Sequence, residues 1–287
     1  MPKTVENILP PTSTSSWWGE VHIPVDRGVR WTIGPCTFLA QRRRREWLLA
    51  KHTEGDVLKA GFNKDVDVDV DVMAEDGKPH TEIMRFAFDE APPLLHLLPA
   101  LADRPVVADL MVPFMVLPQQ TVHFFLTTPL WSQFLVRPEG SDVEDATLLS
   151  EIPITRPSDT WAGESTITGT LAYASQTAAR MHLEDVLRLP QRAFTRVMVR
   201  NRSNEGIRLE RLQLPMENLS LFVDDQDVFW TSRYSLQYSN STSGPTVKIY
   251  EPNDAEKKHD DKLQKVASAR RPVSGIQTLL KLLSFMD

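Results

Sequence analysis

One cysteine in 287 residues, Cys36, leaves no partner for an internal disulfide, so a disulfide framework is excluded and a reducing compartment fits. Glycine is sparse, at 12 residues against 21 prolines. No Gly-x-Gly-x-x-Gly turn, no phosphate-cradling Gly-Lys-Ser/Thr loop, no Gly-x-Ser-x-Gly elbow and no His-Glu-x-x-His helix occurs, which sets aside the enzyme classes built on them. No apolar run reaches the ~20 residues that cross a bilayer, and the opening PKTVENILPPTSTSS has neither the charge nor the apolar core of a signal peptide. A cytoplasmic protein without a membrane span is the expectation. The histidines His22, His52, His80, His96, His123, His182 and His259 are scattered, with no pair at metal-ligand spacing, so neither a metal nor a cofactor is expected.

What is present is the composition of a globular chain, 41% hydrophobic and 24% charged. Short apolar segments end at Gly, Pro, Asp or charge clusters: WGEVHIPV, VRWTIGPCTFLA, REWLLAKH, TEIMRFAF, TVHFFLTTPLWSQFLV, FTRVMVRN, IRLERLQL and VFWTSRYSLQYS. This spacing predicts a mainly β protein, with antiparallel β-sandwich-like lobes and a short C-terminal amphipathic helix. The expected organisation is a disordered lead over 1–16, an N-terminal β lobe over 17–140, a C-terminal β lobe over 141–250, and a linker with the helix over 251–287. The break between lobes is expected near residues 138–146, where RPEGSDVED concentrates turn and charge signals. A short helix is also expected within 176–190, where Ala179, His182, Leu183 and Val186 share one helical face and Pro190 ends it. LLHLLPALA offers at most a helical turn cut short by Pro99.

The formal net charge of -6 is matched by residues 54–76 alone, where Glu54, Asp56, Asp65, Asp67, Asp69, Asp71, Glu75 and Asp76 face only Lys59 and Lys64. Within it, DVDVDVDV (65–72) alternates with the period of a strand, so the valines should face a core and the aspartates water. Same-face carboxylates would lie about 7 Å apart in a row, whereas calcium requires converging oxygens and a glycine where this chain has Val70 or Val72. A solvated or edge-protecting strand is expected. Arg42, Arg43, Arg44 and Arg45 form a basic run, readable as an anion-binding patch or as a solvated hairpin tip near the aspartates. No second basic stripe with interleaved aromatics follows it, so nucleic acid is not an expected partner.

The most unusual stretch is SDTWAGESTITGTLAYASQTAAR (158–180). Trp161 and Tyr173 supply flat faces, Asp159 and Glu164 supply carboxylates, and Gly163 and Gly169 permit corners. Such a group could line a ligand pocket, or work as an acid/base pair of the glycosidase type, or simply fill core and satisfy backbone groups. A noncatalytic ligand-binding or interaction module is the first reading of function. A carbohydrate-directed hydrolase using Asp159 and Glu164 is the alternative.

TWAGE, GTLAY and RVMVRNRSNEGIRLERLQLPMENLSLFVDDQDVFWTS, together with the earlier WTIGPCTFLAQRRRREWLLA, resemble an uncharacterised prokaryotic family, domain of unknown function 432. The likeness spans most of residues 17–236. It implies an association with small-conductance mechanosensitive channels, and hence a membrane-protein partner, but it carries no catalytic residues. In the last segment Ile276, Leu279, Leu280, Leu283 and Met286 form an apolar stripe. Its sparse cations argue against a membrane surface, leaving a second copy of the chain, as in a homodimer, or the chain's own β core.

Overall fold

A computed structural model describes residues 16–78, 81–162, 169–240, 245–251 and 263–272. The chain forms two compact units, each drawn from separated stretches. The described residues of unit 1 lie within Met1–Ala100, Leu130–Thr155 and Leu189–Gln191; those of unit 2 lie within Leu101–Pro129, Arg156–Arg188 and Arg192–Asp287.

Unit 1 opens with β1 (Gly19–His22), β2 (Gly28–Ile33), β3 (Cys36–Arg43), β4 (Glu46–Thr53), β5 (Phe62–Val68), β6 (Thr81–Ala87) and β7 (Leu94–Ala100). Unit 2 then takes β8 (Val106–Val116) and β9 (Thr121–Pro129). β10 (Trp131–Arg137) and β11 (Thr147–Pro153) return to unit 1, and residues 138–146 form the turn between them. The remainder of unit 2 is β12 (Ser158–Ala162), β13 (Thr170–Thr177), β14 (Arg192–Asn201), β15 (Ile207–Leu214), β16 (Leu221–Val223), β17 (Phe229–Thr231), β18 (Arg233–Tyr238), β19 (Thr246–Tyr250) and β20 (Gln264–Ala267).

The expected mainly β class holds. Among the described residues the helical pieces are short 3-10 turns, such as Val72–Glu75 and Leu183–Asp185. The C-terminal helix expected after residue 272 lies outside the described residues. The helix expected within 176–190 is not formed. β13 runs through Thr177, Arg180 bridges Phe125 through backbone hydrogen bonds in both directions, and a single 3-10 turn follows. A backbone that can pair with a neighbouring strand outcompetes a short, weakly periodic helix.

Unit 1 contains two antiparallel sheets, ordered β1-β7-β10-β11 and β5-β2-β3-β4-β6. Phe134 of the first meets Trp31 and Phe38 of the second edge-on, with ring centroids 5.9 and 5.3 Å apart, so the two sheets share an aromatic core. LLHLLPA is β7, buried throughout, not a helical turn. Pro99 is tolerated because β1 pairs only with Leu94–Leu97, so no ladder partner on that side needs the missing N–H.

The aspartate row is a strand only in its first half. Gly28 pairs with Val68 and Val29 with Val66, leaving Asp67 as a bulge with φ of 55°. One extra residue reverses the facing of everything after it. Val66 therefore lies on the sandwich face at the sheet edge and is 42% exposed, a departure from the expectation that all four valines are buried. Beyond the bulge the chain folds over the opposite face, where Val70 and Val72 pack on Leu39, Leu48 and Ala50, with Val68 partly buried beside them. Asp67, Asp69 and Asp71 are exposed and Asp65 is half-buried. Arg27 bonds the Asp67 carboxylate at 2.7 Å, Arg43 approaches Asp71 at 3.5 Å, and Asp71 caps the 3-10 turn by accepting from Met73 N.

A polar trio crosses the smaller sheet, with His96 buried, Arg137 half-buried and Glu20 exposed at its outer end. His96 lies against the Glu20 carboxylate and accepts at Nε2 from Arg137 Nε at 3.0 Å, while Arg137 also donates to Glu20. Burial lowers the His96 pKa below its ordinary 6.5, opposed by Glu20 and reinforced by Arg137. The unfolded chain takes up a proton as pH falls through 6.5 while the folded chain resists it. The stability held by the neutral ring is therefore complete above that pH and is lost as pH falls towards the depressed folded value. The thermal midpoint of unit 1 is expected to drop as pH is lowered from about 7.5 to about 5.5. In His96→Gln that part of the pH dependence should vanish.

Unit 2 pairs a sheet ordered β12-β13-β8-β15 with a larger one ordered β19-β18-β14-β17-β16-β20, to which β9 adds beside β14. Both are mixed: β13 runs parallel to β8, and β14 runs parallel to β17 and β18. Tyr234 of the larger sheet is buried and donates to the Gln213 carbonyl of β15 at 2.9 Å, tying the two layers.

Candidate functional site

The unusual stretch forms the β12–β13 hairpin of unit 2. Its register sets Asp159 opposite Tyr173 and Trp161 opposite Leu171. Cross-strand partners share a face, and residues two apart share it too, so these four side chains form one strip. Trp161 is 50% exposed and Leu171 38%, whereas Tyr173 is buried. An indole half in water, beside a leucine and next to a polar cluster, is a flat adhesive surface of the kind ligands use.

The polar cluster is assembled from three places in the sequence. β13 pairs in parallel with β8, Val106 beside Tyr173, and Tyr173 N donates to the Pro105 carbonyl at 2.9 Å. The turn before β8 is thereby held against the tyrosine. Tyr173 Oη donates to Asp103 Oδ1 at 2.9 Å, and the Arg104 guanidinium lies 5.4 Å from the ring centroid. Arg104 reaches Asp103 at 3.4 Å and Asp159 Oδ1 at 3.6 Å, while Arg156 donates to Asp159 Oδ2 at 3.2 Å. Burial, then the Asp103 contact, raises the Tyr173 pKa, so its hydroxyl stays a donor. Both Asp159 oxygens face guanidinium groups, so the cluster alternates in sign. Partly exposed pairs like these contribute little to stability, about 0–1 kcal/mol each, but they fix where the charges sit.

Three of the four residues expected for this site, Asp159, Trp161 and Tyr173, come together. Glu164 lies outside the described residues. The arginine run is divided by the β3–β4 hairpin. Arg42 is buried and spends its guanidinium on the Ala91 and Ile23 carbonyls, at 2.6 to 3.0 Å. Arg43 contacts Glu46 at 3.2 Å as well as Asp71. Arg44 and Arg45 are exposed at the hairpin tip. Among the described residues no three His, Cys, Asp or Glu side chains gather closely enough to hold a metal ion. Cys36 is buried, its thiol pushed up to about 12 by burial, which leaves it unreactive.

A family profile described as "Protein of unknown function (DUF432)" matches residues 17–286. The chain belongs to this family. No curated protein and no solved structure matches it. Within this DUF432 chain, Asp103, Arg104 and Arg156 are the site residues that the sequence reading missed. Each charge pair or arginine stands just before a proline at the entry to a strand, Asp103-Arg104-Pro105 and Arg156-Pro157, but nothing in the local sequence joins Asp103 and Arg104 to Tyr173. Such an entry leaves its charged residues at the sheet's rim.

Proposed function

We propose that this protein is a noncatalytic ligand-binding module, and that the β12–β13 strip of Trp161, Leu171, Tyr173 and Asp159 is a contact surface for a small polar ligand with a flat face, such as a saccharide. The half-exposed indole of Trp161, aligned with the ion-paired rim of Arg104, Asp159 and Arg156, is the observation that supports it. Stacking on an indole supplies apolar contact, while a fixed rim of donors and acceptors sets orientation. The neutralised cluster favours binding over acid/base work, which relies on a carboxyl free to exchange its proton with the substrate.

The setting that goes with this reading is cytoplasmic, with a membrane-protein partner or a second copy of the chain meeting the apolar 276–286 stripe. Titration with a panel of mono- and oligosaccharides, followed by tryptophan fluorescence and calorimetry, tests the ligand class. Trp161→Ala should weaken any saturable binding by about tenfold or more, the scale of one good aromatic contact. Release of reducing sugar that disappears in Asp159→Asn would instead establish the hydrolase reading.

A further inference from the structure

The larger sheet of unit 2 has an outer face with an uneven charge. Its strands β9, β14 and β16–β20 contain no Asp or Glu. Their Lys and Arg residues all fall on one side. Along β14, Arg192, Arg196, Met198 and Arg200 are half-buried on this side, with Phe194 buried among them against Trp230 at 5.1 Å between ring centroids, and they alternate with Ala193, Thr195, Val197, Val199 and Asn201, which are buried inward. Cross-strand register carries that outer side across the sheet: Met198 pairs with His123 on β9 and Ser235 on β18, and Ser235 pairs with Lys248 on β19. The same relation joins Phe194 to Trp230, Trp230 to Phe222 and Phe222 to Lys265. Arg233 belongs to this side through its partner Tyr250. In a chain of net charge -6, a sheet face with cations and no carboxylate of its own is not an average surface.

Aromatic rings lie among these cations. The Arg196 guanidinium sits 5.7 Å from the Phe125 centroid and 6.0 Å from that of Trp230, Lys265 lies 5.7 Å from Phe222, and Tyr250 is 44% exposed. The carboxylates seen to touch the face stand at its rim: Asp224 accepts from Trp230 Nε1 and Glu251 accepts from Lys265. Arg200 Nε is buried without a hydrogen-bond partner among the described residues. Arg192 differs from the rest. Its pKa is lowered to about 10 by burial, and it donates to Thr127, so its role is structural.

We propose that this outer face binds single-stranded nucleic acid, with Arg196, Arg200 and Lys248 contacting phosphates and Trp230 and Tyr250 offering stacking surfaces for bases. A sheet face carrying both cations and aromatic rings matches a charged backbone with π-faced bases better than it matches a lipid surface, which calls for protruding apolar anchors. The sequence shows no contiguous basic stripe because the topology assembles this one from strands that each carry only one to three cations.

Fluorescence anisotropy of the full chain with labelled uridine and thymidine oligomers of about 20 nucleotides is the test. Binding should be saturable and should weaken steeply between about 50 and about 200 mM salt. The triple variant Arg196→Gln/Arg200→Gln/Lys248→Gln should lose about tenfold or more and show a shallower salt dependence. Tyr250→Ala, at an exposed edge position, should weaken binding without changing the salt slope. Arg44→Gln/Arg45→Gln, in unit 1, should leave the affinity unchanged. A preference for one oligomer identifies RNA or DNA as the ligand. The proposal is overturned if neither oligomer binds, if a folded triple variant and Tyr250→Ala both bind as the parent does, or if phosphatidylglycerol vesicles are bound and the oligomers are not.

Discussion

Asn201→Ala is expected to destabilise unit 2 by about 3–5 kcal/mol, because several buried backbone groups would lose their partner together. Asn201 ends β14 and is fully buried. Its Nδ2 donates to the carbonyls of Val116 at 3.0 Å, Leu117 at 3.2 Å and Glu205 at 2.7 Å, and its Oδ1 accepts from Ser203 N at 2.9 Å and Ser203 Oγ at 2.7 Å. One side chain thus joins the turn after β8 to the turn after β14. Gln119, at a φ of 59°, reinforces the junction by donating to the Arg202 and Ser203 carbonyls. Asn201→Asp should be at least as damaging, since it would put acceptors against three carbonyl oxygens. Ser203→Ala, which removes one hydroxyl at the partly buried end of the network, should cost only about 1 kcal/mol. Urea unfolding followed by tryptophan fluorescence measures all three. A loss under about 1 kcal/mol for Asn201→Ala would mean that water replaces the amide and the junction is not a structural knot.

The parts of this architecture that were legible in the sequence are those encoded within a single strand or hairpin. Alternation in AFTRVMVRN marks β14, and the hairpin that sets Asp159 against Tyr173 is contained in about twenty residues, so three site residues could be named together. Asp103 and Arg104 could not be named, because only the parallel pairing of β13 with β8 brings them under Tyr173. Distance in sequence hid the outer face of the larger sheet in the same way. Its cations are divided among β14, which carries three, and β18, β19 and β20, which carry one each, so they become a patch only after these strands are laid side by side. The arginine run, conspicuous as a block, was misleading for the opposite reason: four adjacent residues at a hairpin tip point in different directions, and Arg42 and Arg43 are consumed by carbonyls and carboxylates.

The aspartate row combines both situations, and Gly28 explains why it turns where it does. Period two was readable, yet the reversal at Asp67 requires one residue with positive φ and a place for the following valines to go. Gly28 makes that place. A Cβ there would lie 2.2 Å from Val70 Cγ2 and 2.5 Å from the Ala40 carbonyl oxygen. Both distances are far inside contact. The valine methyl could rotate away, but the carbonyl belongs to the β2–β3 ladder, in which Gly28 pairs with Gln41 and Val29 with Ala40. Gly28→Ala should therefore strain the β2–β3 ladder where β2 begins and expel Val70 from its cluster with Leu39, Leu48 and Ala50. Overpacking of this kind costs about 1–3 kcal/mol, and losing the burial of Val70 adds about 1.5 kcal/mol, so a fall of about 2.5–4.5 kcal/mol in the stability of unit 1 is the expected result. A second change separates the two contributions. In Gly28→Ala/Val70→Ala the side-chain clash is gone while the carbonyl clash remains, so the added substitution should cost less in the Gly28→Ala background than in the parent. Equal costs in the two backgrounds would show that Val70 does not depend on the slot beside Gly28, and the account of how the aspartate strand leaves the sheet would have to be replaced.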